Sequence, residues 1–226
     1  MKQAIKIRTL SRAFGTLTAM TYVLVVFGAV VRAQGAGLSC PDWPLCFGQL
    51  LPAMDFGVLL EWGHRTLAGL ISLLLVAALV AAKRQPAAWN ALGKLSWIVL
   101  VVLAIQIILG GLTVLKLLAY WTVTLHLIFG NLFCLLLLTM TLRCQEAAAP
   151  VSSLAKTSKT NKMLVFSGGG LLLVQMIVGG LVSSNHAGVA CLQWPTCQGD
   201  VWFPTFSGLI GLHVFHRLIA YTLTLV

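Results

Sequence analysis

Four histidines fall in or beside long apolar runs of this chain: His64, His126, His213 and His216. An ionisable group inside a membrane is costly and usually functional, so chemistry is to be sought there. His64 and His216 are each followed by an arginine, Arg65 and Arg217, and each is preceded three residues earlier by a titratable side chain, Glu61 and His213. Residues three apart share a helix face. A carboxylate one turn from a metal ligand can move protons or stabilise charge during a reaction. His64 opens the membrane part of its helix and His126 lies shortly past the start of another, so both fall near the same membrane surface. Two facing histidines at one depth make a bis-imidazole metal site, because helix bundles place cofactor ligands on facing helices and neutral imidazole is a common axial ligand of haem iron. The alternative for each histidine is a hydrogen bond to a neighbouring helix or an interfacial side chain. Duplication of His-Arg weighs against that alternative. His186 has no histidine at the matching place and reads as an ordinary loop residue.

The elements that position these groups must be membrane helices. Hydrophobic residues make up 59% of the chain and charged residues 9%, where a soluble domain carries about a quarter charged. A helix crosses a bilayer in about 20 apolar residues. The hydropathy predicts six such helices, over 14–33, 58–82, 94–115, 121–142, 163–183 and 208–226. The net charge of +10 reports topology rather than nucleic-acid binding, because Lys and Arg collect on the cytoplasmic side of membrane proteins. Eleven of the fifteen basic residues fall in the N-terminus (Lys2, Lys6, Arg8, Arg12), the 83–94 loop and the 143–162 segment. Those three segments are expected in the cytoplasm, and the loops at 34–57 and 184–207 outside. The N-terminus lacks a small-residue cleavage site and leads into a retained first helix rather than a signal peptide.

The outer loops hold a duplicated motif. "GAVVRAQGAGLSCPDWPLCFG" at 28–48 aligns on "GGLVSSNHAGVACLQWPTCQG" at 179–199, which sets Cys40 on Cys191, Trp43 on Trp194, Pro44 on Pro195, Cys46 on Cys197 and Gly48 on Gly199. One residue later in register, "EWGHRTLAG" at 61–69 aligns on "HVFHRLIAY" at 213–221. Paired cysteines on the oxidising side become disulfides, so Cys40–Cys46 and Cys191–Cys197 are expected to be local bridges. Cys134 and Cys144 read as plain thiols. The first repeat continues through two further helices that nothing after 208–226 matches. The expected architecture is an all-α polytopic membrane protein of two repeated four-helix bundles. The first spans 1–142, a cytoplasmic linker spans 143–162, and 163–226 is a second, truncated bundle, giving six of eight helices.

The motifs "GLSCPDWPLCFG", "EWGHR", "TLHLIFGN", "GVACLQWPTCQG" and "HVFHR", in this order, resemble those of haem A synthases, and the resemblance covers essentially the whole chain. It implies two four-helix bundles in the bacterial inner membrane, with the cysteine loops periplasmic. It implies oxidation of the C8 methyl of haem O to the formyl group of haem A, for cytochrome oxidase. In residue terms it implies that His64 and His126 are the axial pair for the substrate haem and that Glu61 is the catalytic carboxylate. His216 would be one ligand of a haem b, with its partner on an eighth helix that this sequence lacks. Arg65 and Arg217 are expected either at haem propionates or as interfacial anchors, and Cys40–Cys46 either in redox chemistry or haem transfer or as a staple. The implied partners are haem O, the haem O synthase, membrane lipid and an electron acceptor, with a homo-oligomer left open and no nucleic acid.

Two other functions fit parts of the pattern. A quinone-linked thiol oxidase explains the outer cysteines and leaves His64 and His126 idle. A dihaem electron carrier or haem-delivery protein explains the histidines and leaves Glu61 idle.

Overall fold

A computed structural model describes residues 2–148 and 159–225. All six predicted spans are helices: α1 Lys2–Ala33, α2 Phe56–Lys83, α3 Pro86–Leu115, α4 Tyr120–Ala148, α5 Lys159–Ser184 and α6 Gly208–Leu225. Each contains a stretch long and apolar enough to cross a bilayer, and the chain is an integral all-α membrane protein. Lipid offers the backbone no hydrogen-bond partner, so a spanning segment must pair its own N–H and C=O groups as a helix. No strand forms among the described residues.

The helices are longer than hydropathy marks. α1 starts at Lys2 rather than 14, α3 at Pro86 rather than 94, and α4 continues to Ala148 rather than 142. Hydropathy reports only the part in lipid, whereas helical packing goes further. Ile7, Leu10, Phe14 and Leu17 recur at helical spacing and are all buried. Pro86 occupies the first turn of α3, where its fixed φ and missing N–H suit a helix start. Of the expected 143–162 linker, 143–148 and 159–162 are helical. The rest, with Lys156, lies outside the described residues.

The chain divides into two compact units. The first holds the described residues up to Leu118 and from Phe129 to Ala148. Its core draws on four helices: Phe14 of α1, Ile71 and Leu75 of α2, Leu92 and Val99 of α3, and Leu137 and Met140 of α4. Ser11 Oγ donates to the Thr141 carbonyl at 3.2 Å and ties α1 to α4. The second unit holds Ala119–Ile128 and Lys159–Leu225, with Val178 and Val182 of α5 packed with Ala187 and with Ile219 of α6.

Helix ends set the two cysteine loops. α1 closes with Gly35 at φ 67°; the Ala36 N–H reaches the Val31 carbonyl at 3.0 Å and the Gly35 N–H the Arg32 carbonyl at 3.1 Å. This is the Schellman arrangement, which needs a left-handed residue past the helix. His186 holds the matching place after α5, at φ 56°. Histidine is among the few side chains enriched there, so His186 has a backbone role. Asp55 caps α2, its carboxylate accepting from the Val58 N–H at 2.8 Å.

Candidate functional site

The first cysteine loop is organised by its backbone. Cys40 and Cys46 are joined as a disulfide. Cys46 and Gln49 exchange N–H···O bonds of 3.1 and 3.0 Å, and between them Phe47 and Gly48 take φ of 54° and 70°. Two consecutive left-handed residues are what a type I′ hairpin turn requires. The Asp42 carboxylate accepts from the N–H groups of Phe47 at 2.6 Å and Gly48 at 2.8 Å. These bonds, that from Gly48 foremost, hold its carboxyl below the usual carboxylate range.

α2 then clasps this loop. Arg65 donates from Nη1 to the carbonyls of Asp42 at 2.7 Å and Leu45 at 2.8 Å, and from Nη2 to that of Cys40 at 3.2 Å. It also pairs with Glu61 one turn earlier. The other Glu61 oxygen accepts from the Cys40 N–H at 2.8 Å. Glu61 is 5% exposed, so it is a buried, fully engaged carboxylate rather than a solvated loop end.

The second unit builds the same clasp. Cys191 and Cys197 are joined. Arg217 Nη1 donates to the carbonyls of Gln193 at 2.8 Å and Thr196 at 2.7 Å, and Nη2 to that of Cys191 at 3.2 Å. His213 replaces Glu61. Its Nε2 accepts from Arg217 Nε at 3.2 Å, and its Nδ1 lies 2.9 Å from the Ala187 carbonyl. The extra residue that shifts the repeat register sits in the turn. The N–H groups of Cys197 and Gln198 both point to the Val201 carbonyl, two residues facing one as in a β-bulge. The hairpin pair is Gln198 with Val201, so Gly199 is not the structural match of Gly48.

Each helix pair lodges a histidine against a glycine. A Cβ on Gly28 of α1 would lie 3.0 Å from Cε1 of His64, and one on Gly179 of α5 would lie 2.9 Å from Cε1 of His216. Phe27 meets the His64 ring edge-on at 5.8 Å between centroids. The Nδ1 atoms of both rings are buried without a hydrogen-bond partner, and a buried polar atom left unpaired calls for an explanation. On the second ring, Gln175 of α5 brings its amide nitrogen to 3.5 Å from Nε2. Imidazoles seated in notches that any Cβ would fill, with a ring nitrogen unspent, fit the requirements of an iron ligand. His126 lies in the part of α4 that belongs to the second unit and is half-buried.

The guanidinium groups of Arg65 and Arg217 are thus engaged with loop carbonyls and with the residue one turn before. Gly28 and Gln175 join the site without any mark in composition. Gly28 does head the repeat alignment above Gly179, and Gln175 recurs in "QIILGGL" and "QMIVGGL". Trp43, inside the first loop, lies on Gly111 of α3, where a Cβ would approach the indole to 3.1 Å.

Comparison with known proteins shows the family. The chain is 26% identical over its full length to a heme A synthase of Alkalihalophilus pseudofirmus, covering 74% of that protein. It is 27% identical to the heme A synthase of Halalkalibacterium halodurans over 95% of this chain and 72% of the relative. With the heme A synthase of Symbiobacterium thermophilum it shares 30% identity over 89% of this chain and 67% of the relative. Residues 12–226 match the family model COX15-CtaA, described as cytochrome oxidase assembly protein. The chain belongs to the COX15-CtaA family of cytochrome oxidase assembly proteins, together with the heme A synthases.

Proposed function

We propose that the chain is a membrane oxidoreductase that converts haem O to haem A. Two successive hydroxylations of the C8 methyl give a geminal diol, which loses water to leave the formyl group; each takes its oxygen from water, passes two electrons from the methyl carbon to an acceptor at the membrane and releases two protons. The observation that carries this function is the His64 imidazole, seated against Gly28 with its buried Nδ1 unpaired, one turn from the buried Glu61. His64 and His126 are assigned to the iron of the substrate haem. His216 is assigned to a resident haem b, whose role is electron transfer. Glu61 is the carboxylate that accepts and returns a proton, and the Cys40 N–H and Arg65 fix its position. Arg65 and Arg217, next to the histidines in the chain, are assigned to the haem propionates as well as to the loop carbonyls.

The distribution of basic residues supports an N-terminus on the cytoplasmic side, which in a bacterial inner membrane puts both cysteine loops on the periplasmic side. All four loop cysteines are at most 5% exposed, and each loop is held by the same arginine clasp. That supports a staple role for both disulfides and speaks against a thiol oxidase, which needs an accessible sulfur. The test is haem analysis in cells that make haem O but lack their own haem A synthase. Expression of this chain yields haem A; Glu61→Gln and His64→Ala abolish it, while replacing all four loop cysteines leaves bound haem spectrally intact. Unchanged haem A from Glu61→Gln would replace this function with that of a haem carrier.

A further inference from the structure

A second polar site lies in the first unit, at the end opposite the cysteine loops. A cavity of about 270 Å³ is lined by Arg8, Ser11 and Arg12 of α1 and by Gln145 and Ala148 of α4. Arg8 and Arg12 are one turn apart on one helix face, where like charges repel. Among the described residues neither makes an ion pair or a side-chain hydrogen bond. Glu146, the acidic residue nearest in sequence on α4, does not line the cavity. The hydrogen bond from Ser11, one of the lining residues, to the Thr141 carbonyl ties the two helices together beside it. Two guanidinium groups that have no partner among the described residues, beside a side-chain amide, present a set of N–H donors. The geometry that matches such a set is a phosphate oxyanion, which guanidinium forks bind in bidentate fashion.

Depth selects the source of that phosphate. The spanning part of α1 runs from Ile5 to Ala33, 29 residues. At 1.5 Å per residue it is about 43 Å long, against about 30 Å of hydrocarbon. Its first turns, with Arg8 and Arg12, therefore lie at headgroup level. We infer that this cavity binds the phosphate of an anionic phospholipid in the leaflet on the N-terminal side. There it bridges α1 and α4. A surface phosphodiester is present at high local concentration, and anionic lipid adds long-range attraction to juxtamembrane arginines.

The test is native mass spectrometry of the purified full chain in detergent, with phosphatidylglycerol or phosphatidylcholine added. The wild type retains phosphatidylglycerol at least tenfold more than phosphatidylcholine. The variant Arg8→Gln/Arg12→Gln loses that preference, Lys6→Gln keeps it, and Arg8→Lys/Arg12→Lys retains it in part. Millimolar inorganic phosphate leaves the bound lipid in place. Equal retention of the two lipids by the wild type overturns the site, as does full preference in the double Gln variant. Displacement by inorganic phosphate would show a soluble anion as the ligand and overturn the lipid assignment. If the double variant does not fold, the wild-type lipid preference decides alone.

Discussion

Arg65→Ala tests the clasp on the first cysteine loop. The substitution removes three hydrogen bonds to loop carbonyls and the partner of Glu61. The carbonyls lie at the loop, where water can replace the arginine. The carboxylate cannot be rescued so easily, since the Glu61 side chain is 6% exposed. Stranding a buried charge costs about 3–5 kcal/mol; taking the lower figure because water enters an opened loop, the clasp weakens by about 3 kcal/mol, roughly a hundredfold in the opening equilibrium. Arg217→Ala removes the matching carbonyl bonds, but its partner one turn away is His213, an imidazole already bonded to the Ala187 carbonyl. No carboxylate is stranded, and the loss is about 1 kcal/mol, roughly fivefold. The readout is the rate at which a water-soluble reductant opens each disulfide, followed by thiol labelling and peptide mass. Cys46 is 1% exposed and Cys197 fully buried, so reduction requires the loop to open. The expected order is Arg65→Ala at loop one far ahead of Arg217→Ala at loop two, both ahead of the wild type. Adding Glu61→Gln to Arg65→Ala should slow reduction again, because neighbouring residues are not additive. Wild-type reduction rates in Arg65→Ala, or a larger effect from Arg217→Ala, would refute the clasp.

Other expectations follow from the same geometry. The lowered Asp42 pKa means its contribution to loop one is complete above the unfolded carboxylate value of 3.8 and is lost as pH falls below that through the lowered one. Phosphine reduction of the first disulfide should therefore be unaffected by Asp42 above 3.8 and accelerate only as pH falls below it, Asp42→Asn should abolish the dependence, and the second loop, with Gln193 at that place, should lack it. Gly179→Ala puts a Cβ 2.9 Å from His216 and should shift the ring, with an overpacking cost of about 1–3 kcal/mol and a changed spectrum of any haem bound there. In contrast, Gly169→Ala meets nothing within 4 Å and should raise thermal stability by up to about 1 kcal/mol through helix propensity. Gly111→Ala, pressed against Trp43 at 3.1 Å, should lower it.

The six spans were legible because lipid imposes both length and apolarity, and the repeat was legible because Cys, Trp-Pro and His-Arg recur at fixed offsets. Helix starts such as Lys2 were not, since polar turns beyond the membrane continue a helix on the strength of buried Ile7 and Leu10 rather than hydropathy. The arginine clasp was hidden for a different reason. Arg65 binds the carbonyls of Cys40, Asp42 and Leu45, and Arg217 those of Cys191, Gln193 and Thr196. Only the cysteines match, because a backbone acceptor places no demand on its side chain. The burial of Glu61 was not legible, because its partners, a backbone N–H and the next turn's arginine, leave no spacing signature beyond i, i+4. Gly28 matters through the His64 ring that lies against it, a contact no local pattern encodes.

The measurement closest to the central claim is the identity of the haem that co-purifies with the chain from cells making haem O. Extraction and mass analysis should find haem O or haem A with the wild type, beside a bis-histidine reduced-minus-oxidised spectrum, and His64→Ala should lose the farnesylated haem while keeping the helical fold. Farnesylated haem retained at wild-type occupancy in both His64→Ala and His126→Ala would contradict the account.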